Sequence, residues 1–153
     1  MLSPGDKAPD FELPVDGGEV LSSASFAGKP YVVYFYPKDN TPGCTTEACD
    51  FRDNFSRVTA KGAAVVGVSK DSVRSHNNFK AKHELPFQLI SDSELVLHQA
   101  YGAWGKKKNY GREYMGTIRS TFLVGADGAI AKSWPKVRVK GHVEEVIAAL
   151  EAL

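Results

Sequence analysis

Residues 31–49 read Tyr31-Val-Val-Tyr-Phe-Tyr-Pro-Lys-Asp-Asn-Thr-Pro-Gly-Cys-Thr-Thr-Glu-Ala-Cys49, and this stretch decides the architecture. Its first six residues are β-branched or aromatic, with no charge among them. A short continuous apolar run of that kind predicts a central strand buried on both faces. Pro37 ends it, because proline lacks the N–H that a strand ladder needs. From Cys44 the pattern turns helical. Ala48, Phe51, Phe55 and Val58 recur three or four residues apart on one face, to about Lys61, and Gly62 is a natural stop.

Ala63 to Ser69 reads as a second buried strand. Asp71 or Ser72 caps a helix running to about His83, which Leu85-Pro86 breaks. Phe87 to Ile90 is a short strand and Leu95 to Tyr101 a short helix. The runs Ser120–Gly125 and Ala129–Trp134 flank Ala126-Asp127-Gly128, an Asp-Gly hairpin signal. Val143 to Leu153 closes the chain as an amphipathic helix with Val143, Val146, Ile147 and Leu150 inward. The opening to about Phe26 is rich in Pro, Gly and Asp and predicts loops with short strands and one helical turn. The order β-α-β-α-β-α-β-β-α predicts an α/β sandwich: a central mixed sheet flanked by helices, with one antiparallel hairpin at an edge. No repeat, linker or low-complexity tract interrupts residues 1–153, so a single domain is expected.

Nineteen Lys and Arg against eighteen Asp and Glu give a net charge of +1. That balance argues against nucleic acid or an anionic membrane as partner, since both rely on a clustered basic excess. A hydrophobic fraction of 42% supplies a core and excludes global disorder. The longest apolar runs, Tyr31–Tyr36 and Gly62–Val68, fall far short of the roughly 18 residues of a membrane span. The start, Met-Leu-Ser-Pro-Gly-Asp-Lys, lacks the basic and apolar regions of a secretory signal. Only two cysteines occur, Cys44 and Cys49, fewer than a small secreted scaffold carries. A reducing cytoplasm is the expected compartment, and a close pair there is expected to be chemical rather than structural.

Cys44 falls in the first turn of its helix, beyond the carboxyl end of a buried strand, where open α/β sheets bind ligands. Unpaired N–H groups and the helix dipole favour an anion at that turn, and thiolate is the nucleophilic form of cysteine. Thr41 stands three residues earlier, and its hydroxyl reaches a group bound at the turn. Pro37 and Pro42 stiffen the approach, with Pro37 also placed to shield the sulfur from water. Glu47, one turn on, opposes a thiolate unless a cation neutralises it, and Arg119 and Arg52 are the candidates. The plainer alternative is that Cys44 is a small buried hydrophobe and Thr41 a cap.

Cys49 lies five residues after Cys44. An intact helix puts such a pair about 140° apart, with about 8.6 Å between Cα atoms, whereas a disulfide needs roughly 4.4–6.8 Å. Either the two never pair, or the first turns of the helix unwind when they do; Cys49 as a plain core cysteine is the alternative. Zinc wants about four Cys or His ligands at short spacing, and His76, His83, His98 and His142 are scattered. No Cys-x-x-Cys is present, and no histidine lies beside Cys44 in sequence to act as a protease base.

At these residues the chain resembles a peroxiredoxin, of the bacterioferritin comigratory protein or PrxQ group. The family's Pro-x-x-x-Thr-x-x-Cys motif is matched at Pro37, Thr41 and Cys44. The group's longer form, with Tyr-Pro-Lys-Asp before and Thr-Pro-Gly-Cys-Thr around the cysteine, is also present. Ala8–Pro14, Tyr114–Val124 and Val137–His142 resemble further segments of the group, so the likeness covers nearly the whole chain. It implies a thioredoxin-like fold and a thiol peroxidase for hydrogen peroxide and organic hydroperoxides, with no metal, haem or flavin. By resemblance, Cys44 is the peroxidatic cysteine. Thr41, Arg119 and the backbone N–H groups of Gly43 and Cys44 are donors to the peroxide, Pro37 is the motif proline, and Glu47 orients the arginine. Cys49 matches the resolving cysteine of members that carry it five residues on, so an intramolecular disulfide is implied, reduced by thioredoxin or a glutaredoxin-like dithiol. A monomer is implied too. A non-catalytic redox sensor or holdase, unfolding a helix to expose Phe51 and Phe55, is the alternative from another class, and two inert core cysteines a third. The basic, aromatic run Tyr101–Gly116 reads as a loop with a solvated lysine face, and Asp39 and Trp134 as turn and core.

Overall fold

A computed structural model describes residues 1–153. Strands β1 (Glu12–Pro14) and β2 (Val20–Ser22) form a small antiparallel ribbon. After it come β3 (Tyr31–Phe35), α1 (Pro42–Asp53), α2 (Phe55–Ala60), β4 (Ala64–Ser69), α3 (Val73–His83), β5 (Gln88–Ser91) and α4 (Val96–Tyr101). The hairpin β6 (Trp104–Asn109) and β7 (Arg112–Thr117), then β8 (Ser120–Val124), β9 (Ile130–Trp134) and α5 (His142–Glu151) complete the chain. The main sheet has the order β5-β4-β3-β8-β9. Strands β3, β4 and β5 are parallel, β8 runs antiparallel to β3, and β9 antiparallel to β8. No helix is long and apolar enough to cross a membrane.

The period of two along β3 explains the layers. Val32 and Tyr34 join one core with Cys44, Ala48 and Phe51 of α1, Phe79 of α3, and Val146, Ile147 and Leu150 of α5. Val33 and Phe35 join the other, with Leu97 and Tyr101 of α4, Phe122 of β8, and Phe11 and Val15 near the N-terminus. All five residues of β3 are buried, as the uncharged run requires. The ends of β3, β4 and β5 therefore open on one edge of the sheet, and α1 begins there.

Three local readings differ from the structure. Strand β3 stops at Phe35, although the Tyr36 N–H still donates to the Val68 carbonyl at 3.0 Å. The helix expected to run to Lys61 is two helices, broken at Asn54, whose side-chain amide donates to the Asp50 carbonyl at 2.9 Å. Such a local bond competes with the helical one. The Tyr101–Gly116 loop is in fact the β6–β7 hairpin, turned by Tyr110 (φ 53°) and Gly111 (φ 75°). Left-handed backbone at both turn residues is what a two-residue type I′ hairpin demands.

Candidate active site

Cys44 sits in the first turn of α1 with Pro42 at the first helical position and Thr41 as N-cap. Proline is preorganised there, and its missing N–H costs nothing at a helix start. The thiol is free and only 1% exposed. The Gly43 and Cys44 N–H groups have no acceptor, whereas the Thr45 N–H already bonds the Thr41 carbonyl at 2.9 Å. Two open donors thus flank the sulfur. Thr41 does not cap the helix with its side chain; its hydroxyl donates to the Lys38 carbonyl at 2.8 Å.

Arg119, between β7 and β8, arrives from 75 residues away in sequence. Its Nη2 donates to Cys44 Sγ at 3.2 Å and its Nη1 to Glu47 Oε1 at 2.7 Å. One planar guanidinium therefore spans the sulfur and the carboxylate, a fork that lysine cannot offer. A Cβ at Gly43 would lie 3.4 Å from that Nη2, an ordinary contact distance. Arg52, the other cation considered for Glu47, instead bonds Asp53 and the His83 carbonyl. Glu47 is fully buried, and its second oxygen has no partner. Burial pushes its carboxyl up to about 7, with Arg119 pulling in the opposite direction.

A cleft of about 640 Å³ runs beside Arg119, lined among others by Pro37, Lys107, Ile118 and Val137. Lys107 folds into it, with Nζ donating to the Thr117 carbonyl at 2.9 Å. Burial, with Arg119 adding, holds that ammonium below the usual lysine range. Lys106 and Lys108 stay exposed, so the three-lysine run is not one solvated face. Register explains this: neighbouring residues of a strand point to opposite sides. A larger concavity, about 730 Å³, lies by the Asp127 turn and the start of β3, at the far end of that strand from Cys44. It holds no cysteine and no guanidinium. Cys49 is free and half-buried on the same unbroken helix as Cys44.

Comparison with known proteins fits this geometry. The AhpC/TSA family model matches residues 4–133. The chain belongs to the AhpC/TSA family, among its Bcp/PrxQ peroxiredoxins. It is 52% identical to peroxiredoxin Bcp of Bacillus subtilis over 147 residues, covering 96% of this chain and 94% of that one. Solved peroxiredoxin Q structures from Xanthomonas campestris superpose with a TM-score of 0.90 at 41% identity, covering 99% of this chain and 96% of theirs. A PrxQ mutant from Xylella fastidiosa gives 0.94 at 37% identity, covering 99% and 97%. The Xanthomonas protein has been studied for its alkyl peroxide reduction activity, with trapped intermediate and ligand complexes. As a peroxiredoxin, this chain is an oxidoreductase, a thiol peroxidase working through cysteine intermediates.

Proposed function

We propose that Cys44 is the peroxidatic cysteine and Cys49 the resolving one of a thioredoxin-dependent, atypical two-cysteine peroxidase. The observation that carries this reading is the double hydrogen bond of Arg119 to Cys44 Sγ and Glu47 Oε1, beside the two open N–H groups of Gly43 and Cys44. The Cys44 thiolate attacks the nearer oxygen of the hydroperoxide, and an S–O bond forms as the O–O bond breaks. The leaving alkoxide or hydroxide takes a proton and departs as alcohol or water, leaving a sulfenic acid. Charge passes from sulfur to the leaving oxygen, so donors aimed at that turn stabilise the transition state more than the ground state. Arg119 and the two backbone N–H groups supply them, while the Thr41 hydroxyl, whose proton goes to the Lys38 carbonyl, offers the peroxide an acceptor oxygen. Glu47 fixes the guanidinium from behind, and Pro37 walls the cleft.

The Cys49 thiol then displaces hydroxide from the sulfenic acid, which leaves as water once protonated, and a Cys44–Cys49 disulfide remains. Intact α1 holds such a pair about 8.6 Å apart by its rise and turn, so its first turns unwind for this step. A dithiol, thioredoxin or a glutaredoxin-like protein, reduces the disulfide by exchange and is itself oxidised. Hydrogen peroxide and organic hydroperoxides are both substrates, and the enzyme works as a cytoplasmic monomer. Coupling to thioredoxin, its reductase and NADPH tests the cycle: many equivalents of peroxide consumed per chain are expected. Consumption that stops after one equivalent contradicts an enzyme of this kind and fits a sensor.

A further inference from the structure

The loop from Tyr36 to Thr41 carries the turn of Cys44, and a set of buried bonds outside the peroxide chemistry fastens it. Asp39 is 5% exposed, and its carboxylate accepts three bonds. Tyr36 Oη donates to Oδ1 at 2.6 Å, while Ser75 Oγ at 2.8 Å and His76 Nδ1 at 2.7 Å donate to Oδ2. The fully buried His76 ring turns its other nitrogen to the Ile90 carbonyl at 2.9 Å. The Asp39 N–H donates to the Asp71 carboxylate at 2.7 Å, and Ser91 Oγ donates to the Asp71 carbonyl at 2.6 Å. Asp39 and Asp71 together thus tie the ends of β3, β4 and β5 to the first turn of α3. Past Asp39, residues 40 and 41 have one side-chain bond, that of the Thr41 hydroxyl to the Lys38 carbonyl at 2.8 Å. Asn40 takes a left-handed φ of 62°, and Thr41 gives the helix no side-chain cap.

We propose that Asp39 and His76 form a latch that holds the first turn of α1 folded against the unwinding that a Cys44–Cys49 disulfide requires. The two are positioning residues, and the proposal rests on the resolving role given to Cys49 above. Unwinding α1 gains chain entropy, and the gain is smaller while the preceding loop stays pinned. A buried carboxylate bonded by three side chains is costly to leave half-satisfied, so the pin holds. With the latch intact the population favours the folded turn, where Arg119 and the N–H groups meet the peroxide. Releasing it shifts the population toward the unwound turn, where Cys49 reaches Cys44. Peroxide attack and resolution therefore respond in opposite directions.

The test measures both steps after rapid mixing with hydrogen peroxide, by quenched intact mass under non-reducing conditions. This separates the gain of one oxygen from the loss of two hydrogens. In His76→Leu, conversion of sulfenic acid to disulfide is expected to quicken and oxidation of Cys44 to slow, the two factors multiplying to about tenfold, the weight of one hydrogen bond to a charged group. His76→Asn retains a donor toward Asp39 and is expected to restore most of both rates. Ser75→Ala, which removes one bond and leaves the ring in place, is expected to move both rates in the same senses, the two factors multiplying to about threefold. Rates that fall together, rates that do not move, or an Asn variant no better than Leu overturn the latch. Should His76→Leu not fold, Ser75→Ala decides alone by the same opposed response. A wild-type chain that forms sulfenic acid and no disulfide sinks instead the role of Cys49, so the two failures are distinct.

Discussion

At Cys44 a single guanidinium serves two acceptors, a sulfur at 3.2 Å and a buried carboxylate at 2.7 Å. The arrangement answers a local conflict, because Glu47 beside a thiolate repels it unless a cation stands between them. Arg119→Met is expected to lower the second-order rate with hydrogen peroxide by roughly 10²–10³, the usual cost of losing an aimed donor in a closed site. Arg119→Lys is expected to recover only part of this, since lysine offers a point charge without the fork. Stopped-flow oxidation of the reduced protein measures both, and a rate within twofold of wild type contradicts the role. Legibility at this scale follows sequence distance. Pro37, Thr41, Gly43 and Cys44 lie in one eight-residue window, so helix-start rules place them together. Arg119 stands 75 residues away, and no spacing rule reaches it; the charge conflict at Glu47 named it beside Arg52, and only the family resemblance chose between them. Asp39 and His76 pair across 37 residues with no local signal, which is why Asp39 read as a turn residue.

In the proposed cycle the element that moves is α1. Its unbroken run from Pro42 to Asp53 holds both cysteines, and Asn54 separates it from α2. In the proposed cycle that break is expected to confine unwinding to the first helix. Hydrogen exchange of the peroxide-oxidised protein is expected to show lost amide protection over residues 42–49 and retained protection in α2, with a dithiol restoring the first. Unchanged protection in α1 contradicts the unwinding step. The alternation of β3 and the spacing of Ala48, Phe51, Phe55 and Val58 made both layers legible, because burial imposes those periods on the sequence. The same spacing concealed the break at Asn54, since α2 keeps Val58 buried on the same side. The β6–β7 hairpin was hidden for a different reason. It belongs to no core, so its lysines alternate in exposure without an apolar stripe to announce the strand.

Across the whole molecule, two buried groups set opposing pH responses. Burial raises the Glu47 carboxyl from 4.5 to about 7, so the folded state binds the extra proton. The stability this gives is present at low pH and is lost as pH rises from about 4.5 to about 7. Burial, with Arg119 adding, lowers His142 from 6.5 to about 4. That stability is present above about 6.5 and is lost as pH falls toward about 4. Each is worth about 3 kcal/mol, and over the shared window they nearly cancel. Glu47→Gln removes one side of the balance. Between pH 7 and pH 4 the variant is therefore expected to lose about 3 kcal/mol more than wild type in urea unfolding, and parallel curves contradict the assignment. The most direct test of the whole account is intact mass of wild type, Cys49→Ser and Cys44→Ser after brief exposure to hydrogen peroxide, under non-reducing conditions. Loss of two hydrogens from wild type, gain of oxygen on Cys49→Ser and no change on Cys44→Ser are the expected results. Oxygen gained by Cys44→Ser, or no change in wild type, contradicts the central claim that Cys44 attacks the peroxide.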